Sequence, residues 1–177
     1  MTLKRADIEI MSPVGSYESL QAAIQGGASS VYFGVGRLNM RSKSSFNFTL
    51  DDLATIVQKC RHHGIRTYLT VNTVLYDEEL DDMRRIVDAA RQHGITAIIA
   101  SDLAVIRYAR SVGMEVHIST QVNITNLESL RFFAAYADVM VLARELNLKQ
   151  VKKIAQAIHQ ENITGPSGQL VQLELFI

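Results

Sequence analysis

The sequence predicts an α/β fold, a (β/α) barrel of the TIM type with parallel strands, and three observations point there. The segments "HHGIRTYLTVN", "QHGITAIIASD" and "SVGMEVHISTQ" share one design: a helix end, a glycine, an apolar run, then small or polar residues. "QGGASSVYFGV" and "YADVMVLARE" are looser copies. The predicted strands also finish on polar residues one after another, at Ser12, Asn72, Asp102, Gln121 and Arg144. A barrel spreads such groups around its rim, whereas a doubly wound sheet gathers them at its switch point. Finally, no GxGxxG follows the first strand, as a dinucleotide-binding doubly wound sheet would require.

The elements follow in order. A strand over 8–12 leads to a helix stopped at Gly27, and a second strand covers 31–34. After a long loop, Thr49 with Asp52 three residues on has the spacing of a capping box, which starts a helix by satisfying free backbone N–H groups. In "LDDLATIVQKC", Leu53, Ile56, Val57 and Cys60 fall on one helical face. Gly64 ends that helix and a strand runs over 67–72. "LDDMRRIVDAA" repeats the amphipathic pattern, Gly94 stops it, and a strand spans 97–101. Gly113 precedes a strand over 115–120, and Thr125 with Glu128 starts the next helix. A strand over 139–144 is followed by a helix capped by Asn147 with Gln150. "ITGPSGQ" is a turn that breaks the chain before a last strand over 171–177. The recurrent glycines are the residues that can take the left-handed conformation at a helix end.

That makes seven strands, where a closed barrel needs eight and roughly 200–250 residues. The expectation is a single, incomplete barrel domain over 1–177, truncated at its C-terminus. A sheet one strand short leaves two open edges, so self-association into a homo-oligomer is expected.

Composition limits the function classes. With 47% hydrophobic residues in 177, the chain suits one well-buried core. Lysine plus arginine balance aspartate plus glutamate at 18 each, so no global field draws it to nucleic acid or an anionic membrane. No run is long enough for a signal peptide or a membrane span, which favours the cytoplasm. The one cysteine, Cys60, supplies no CxxC or Cys/His metal spacing. His-Glu-x-x-His and Gly-x-Ser-x-Gly are both absent, so no metal ligand set or nucleophile elbow is expected. Cys60 beside His62 and His63 reads as packing plus a cationic helix end rather than as a thiol–imidazole pair.

Alternation along a strand puts Tyr68, Thr70 and Asn72 on one inward side, and likewise His117, Ser119 and Gln121, and Leu142 with Arg144. Asn72, Gln121 and Arg144 are therefore expected to converge at the mouth as substrate-binding residues. An arginine there offers a planar fork to a carboxylate or phosphate. Glu145 could instead hold Arg144 in an internal ion pair, and both readings stay open. His117 and Glu145 are the acid–base candidates, although His117 reads more readily as a satisfied core histidine. "LNMRSKSSFNF" interleaves Arg41 and Lys43 with Phe46 and Phe48, which suits gripping phosphate and stacking bases, or merely pinning the loop to the rim.

"IEIMSPVGSYESLQAAIQGGASSVYFGV", "NMRSKSSFNFTLDDL", "TYLTVNTVLYDEEL", "ISTQVNITN" and "VLARELNLKQV" together resemble the opening of the collagenase-like peptidase family U32, along the whole chain. Glu174, Leu175 and Phe176 match the start of that family's Glu-x-Phe signature, which continues into His-Gly-small-x-Cys and further cysteines. In the family pattern an arginine and an Asn-Phe pair recur, matching Arg41, Asn47 and Phe48, so the resemblance implies a substrate-mouth role for Arg41 and Asn47. It implies one of two chemistries. The first is peptide-bond hydrolysis, in some members metal-dependent. The second is oxygen-independent hydroxylation of tRNA or rRNA bases, or of a quinone precursor, with a cysteine-bound 4Fe-4S cluster. The expectation is the barrel portion of a peptidase, with the hydroxylase as alternative and a non-catalytic binding module as the third reading. No cofactor is expected within these residues, the full-length protein carrying a metal ion or a 4Fe-4S cluster. By itself the chain is expected to be inactive. Peptide or RNA is the expected partner, with no membrane.

Overall fold

A computed structural model describes residues 8–40, 42 and 47–177. Its strands are β1 (Met11–Pro13), β2 (Ser30–Gly34), β3 (Arg66–Val71), β4 (Ala97–Ala100), β5 (Glu115–Ile118), β6 (Val139–Val141) and β7 (Gln172–Glu174). Between them lie α1 (Tyr17–Gln25), α2 (Leu53–His62), α3 (Leu80–His93), α4 (Leu103–Ser111), α5 (Leu127–Ala134) and α6 (Leu148–Gln160). The seven strands form one curled sheet in chain order, every neighbouring pair parallel. This is the expected barrel architecture, with β1 and β7 as its two edges.

The helix stops are those the glycines predict. Gly27, Gly64, Gly94 and Gly113 all have positive φ, between 67° and 78°, a conformation that other residues reach only with strain. Caps agree in two places and shift in a third. Asn147 Oδ1 accepts from the Gln150 N–H at 3.1 Å while Gln150 Oε1 accepts from the Asn147 N–H at 2.9 Å. Asp52 accepts from the Thr49 N–H and hydroxyl, both at 2.8 Å, but over a short 3-10 turn (Leu50–Asp52) that feeds α2. At α5 the cap is Asn126, not Thr125: its Oδ1 accepts from the Ser129 N–H at 2.9 Å.

The strands are shorter than expected, and the reasons are local. β1 starts at Met11, where pairing with Ser30 begins, leaving Ile8 and Ile10 exposed. β5 ends at Ile118 because Ser119 caps a 3-10 turn (Thr120–Val122), its Oγ accepting from the Gln121 N–H. β6 stops at Val141, and residues 144–145 form a turn.

Two apolar layers result. Leu69, Ile98, Val116, Ile118 and Met140 face outward into the main core with Leu53, Ile56, Cys60, Ile106 and Ile154 of the helices. The inward face is smaller and mixed: Tyr68, Ala97 and Ile99 pack with Met11 and Tyr32. Cys60 is fully buried and burial pushes its thiol up to about 11, so it packs as a small apolar residue. The "ITGPSGQ" turn is tied back to the sheet: Asp138 Oδ1 accepts from the Ser167 N–H at 3.0 Å and from its hydroxyl at 2.6 Å.

Candidate active site

The inward positions of β3, β5 and β7 carry the polar groups. Period-two alternation fixes which residues these are. Tyr68 and Thr70 point inward from β3, Glu115 and His117 from β5, and Glu174 from the last position of β7.

His117 is 3% exposed. Its ring stacks on Tyr68 with centroids 4.6 Å apart, and its Nε2 is 3.1 Å from Glu115 Oε1. The Tyr68 hydroxyl donates to Glu9 Oε1 at 2.7 Å, and Glu9 pairs with Arg66 through its other oxygen. Burial, then the bond to Glu9, holds the Tyr68 phenol well above its ordinary range, so it remains a donor. Burial likewise raises the Glu174 carboxyl; His117 pulls it back down and Glu9 pushes it further up. Tyr68, His117 and Glu174 thus give the sheet's concave side a polar lining, and Glu9, Arg66 and Glu115 extend it as exposed groups at the strands' N-terminal end.

Nearer the rim, Asn72 Oδ1 accepts from the Met40 N–H at 3.2 Å and Asn72 Nδ2 donates to Ser119 Oγ at 3.3 Å. Asn72 is therefore brought to the mouth, as alternation implies, but both ends of its amide are engaged within the protein. Gln121 is exposed, because the turn capped by Ser119 takes it out of the strand's alternation. Arg144 is also exposed, in the turn after β6, with its Cζ 5.8 Å from the centroid of the Phe176 ring. Among the described residues Arg144 and Glu145 form no ion pair, and Glu145 is exposed in the same turn. Asn72 is thus held by bonds within the protein, while Gln121 and Arg144 stand exposed in the turns after β5 and β6.

Asn47 is half-buried beside Phe48. Phe48 lies edge-on to Tyr17 at 5.4 Å and to Phe33 at 5.6 Å, pinning the end of the long loop to the barrel. Arg41, Lys43 and Phe46 lie outside the described residues. Asn39 is buried and donates from Nδ2 to the carbonyls of Val35 and Gly36, both at 3.2 Å. Among the described residues no group of three or more His, Cys, Asp and Glu side chains is placed to hold a metal ion. No helix is long and apolar enough to cross a membrane. Met40, Val74, Tyr76, Leu103, Leu148 and Phe176 are exposed, and all follow strand carboxyl ends, so the mouth has an apolar rim.

Glu9, Glu115 and Glu174 were not among the residues expected in the site. Glu115 was legible, because it lies two positions before His117 and must share its side. Glu9 was not, because it reaches the site through Tyr68 and Arg66 of β3, far along the chain.

Comparison with known proteins places this geometry. The family model described as peptidase family U32 matches residues 15–177. A protein of Porphyromonas gingivalis named collagenase is 57% identical over 170 residues, covering 96% of this chain and 41% of its own. A 23S rRNA 5-hydroxycytidine synthase of Escherichia coli is 33% identical over 158 residues, covering 89% of this chain and 24% of its own. A solved structure of a U32 peptidase superposes with a TM-score of 0.72 at 13% identity, over 99% of this chain and 70% of that one. The chain spans less than half the length of these two curated relatives.

Proposed function

This chain belongs to peptidase family U32, and from that premise we infer that it is the barrel portion of a collagenase-type protein of the family, acting in peptide-bond hydrolysis. The observation that carries the reading is the 57% identity, along nearly the whole chain, to a protein named collagenase. The apolar rim around a polar interior supports it, because an extended peptide offers side chains to the first and polar backbone to the second. Arg144, Gln121, Asn47 and Arg41 are the rim residues proposed to contact substrate, and His117 the interior acid–base group. Glu145, exposed in its turn, is the weaker acid–base candidate.

A second reading is supported by the likeness to an rRNA 5-hydroxycytidine synthase. On it, the longer protein hydroxylates an RNA base and holds a 4Fe-4S cluster. Among the described residues no three His, Cys, Asp or Glu side chains are placed to hold a metal or a cluster. Either activity belongs to a cytoplasmic protein on this proposal. Open edges at β1 and β7 support self-association.

The test is to purify the longer protein anaerobically and assay it twice: on labelled gelatin, and by mass spectrometry of rRNA and tRNA from cells with and without the gene. Gelatin cleavage by the wild type supports the hydrolase. Loss of a hydroxylated base without gelatin cleavage replaces it with the second reading.

A further inference from the structure

Arg144 stands exposed on a turn whose backbone is fixed from several sides. The Leu142 N–H donates to the Glu174 carbonyl of β7 at 3.1 Å, and the Leu142 carbonyl accepts from the Thr120 hydroxyl at 3.4 Å. The Ala143 N–H donates to the Ile124 carbonyl at 3.0 Å, and the Leu146 N–H closes the turn on the Ala143 carbonyl at 3.4 Å. Leu142 and Ala143 are both buried. The arginine side chain is placed as well: its Cζ lies over the Phe176 ring, 5.8 Å from the centroid. Stacking on an aromatic face leaves the N–H groups at the edge of the guanidinium plane available and limits the rotamers the side chain can take. Among the described residues no carboxylate pairs with it.

A fixed, unpaired planar fork is a receptor for one carboxylate, which it meets through two parallel N–H···O bonds. The surroundings select against a polyanion. Glu145 is exposed on the same turn and Glu174 ends the adjoining strand, so a nucleic-acid backbone would meet acids where it needs several cations in line. They favour an apolar group next to the carboxylate, because Phe176 and Leu148, the first residue of α6, are both exposed. The N-terminus of α6 begins four residues after Arg144 and adds partial positive charge at the same rim.

We propose that Arg144, stacked on Phe176, binds a carboxylate of the peptide substrate at the barrel mouth, either the C-terminal carboxylate or an acidic side chain. The proposal rests on the peptide-hydrolysis reading and gives it a substrate class: peptides that present a carboxylate beside an apolar residue. Arg144 makes the contact, and Phe176 acts through it as a positioning residue.

The test is fluorescence anisotropy of three labelled gelatin-derived peptides on the longer protein, read before any turnover. The first ends in leucine with a free carboxylate and has no acidic residue, the second is its C-terminal amide, and the third is that amide with one internal glutamate. The wild type should bind the first or the third about 10–100-fold more tightly than the second. R144A should abolish that preference and leave affinity for the amide unchanged, while R144K restores only part of it, lacking the fork. F176A should shrink the preference by about 2–5-fold, again without moving the amide. Tight binding of the first peptide identifies the C-terminal carboxylate, and of the third the acidic side chain. Equal binding of all three by the wild type, a comparison that needs no variant, overturns the proposal, as does a preference that survives R144A. A single-stranded RNA oligonucleotide that binds through Arg144 with a steep salt dependence, while the peptides show no preference, overturns it in favour of a phosphate site. If no gelatin peptide is cleaved while the Arg144-dependent preference holds, the carboxylate site stands and the hydrolase reading falls. If gelatin is cleaved and the wild type does not distinguish acid from amide, the site falls and that reading stands.

Discussion

Asn72 and Ser119 join the ends of two strands that are not neighbours: the amide at the end of β3 donates to the hydroxyl at the end of β5 at 3.3 Å, passing over β4. The same amide holds the Met40 N–H of the loop after β2. Changing Asn72 to Ala removes both bonds and should cost about 1–2 kcal/mol in urea unfolding. Hydrogen exchange at the Met40 amide should accelerate in that variant; an unchanged rate would mean that the loop is held by other contacts.

Gly34 has no room for a side chain. A Cβ there would lie 2.2 Å from Asn39 Cγ, and Asn39 is held in place by two backbone carbonyls. Changing Gly34 to Ala should destabilise by about 1–3 kcal/mol. Adding Asn39→Ala should recover part of that loss, a non-additivity readable in a double-mutant cycle.

Stability should fall with rising pH at Glu174. Its carboxyl is raised in the fold by burial, so the native state binds the proton more tightly than the unfolded chain does. That contribution is complete below the ordinary carboxylate range and is lost as pH rises through the folded value. Glu174→Gln should therefore raise the Tm relative to wild type at about pH 8 and leave it nearly equal at about pH 4. Equal Tm differences at both pH values would show that the carboxyl is not raised.

Asp52 runs the other way. Its carboxyl is held low, first by the Tyr17 hydroxyl at 2.6 Å and then by the Thr49 backbone N–H. Its contribution is present above the unfolded value and disappears as pH falls through the folded one. Asp52→Asn should lower the Tm near neutral pH and have little effect in acid.

Cys60 should resist modification. Its thiol is buried and pushed up to about 11, and the thiolate is the reactive form. Labelling by iodoacetamide should proceed only in denaturant; rapid labelling of the native protein would show that α2 opens locally.

The helix–glycine–strand repeat was readable because it depends on local chemistry: Gly64, Gly94 and Gly113 each end a helix by a backbone preference that acts within a few residues. Strand ends were less readable. Whether Gln121 continues β5 or leaves it turns on Ser119 Oγ reaching the next amide, a competition that periodicity does not record. The site was partly legible, since His117 and Asn72 follow from alternation. Glu9 and Glu174 did not, because their place depends on pairing across the curled sheet between residues far apart in sequence.

Strand order equals chain order throughout the sheet, and this bears on kinetics. Each strand meets its neighbour after only one intervening helix, so closing any one ladder contact orders a short loop and never threads the chain past a finished element. Folding can then start at one strand–helix–strand unit and spread outward in both directions. The centre of the sheet, around β3 and β4, should be the last part to release its amide protons, and β1 and β7 the first.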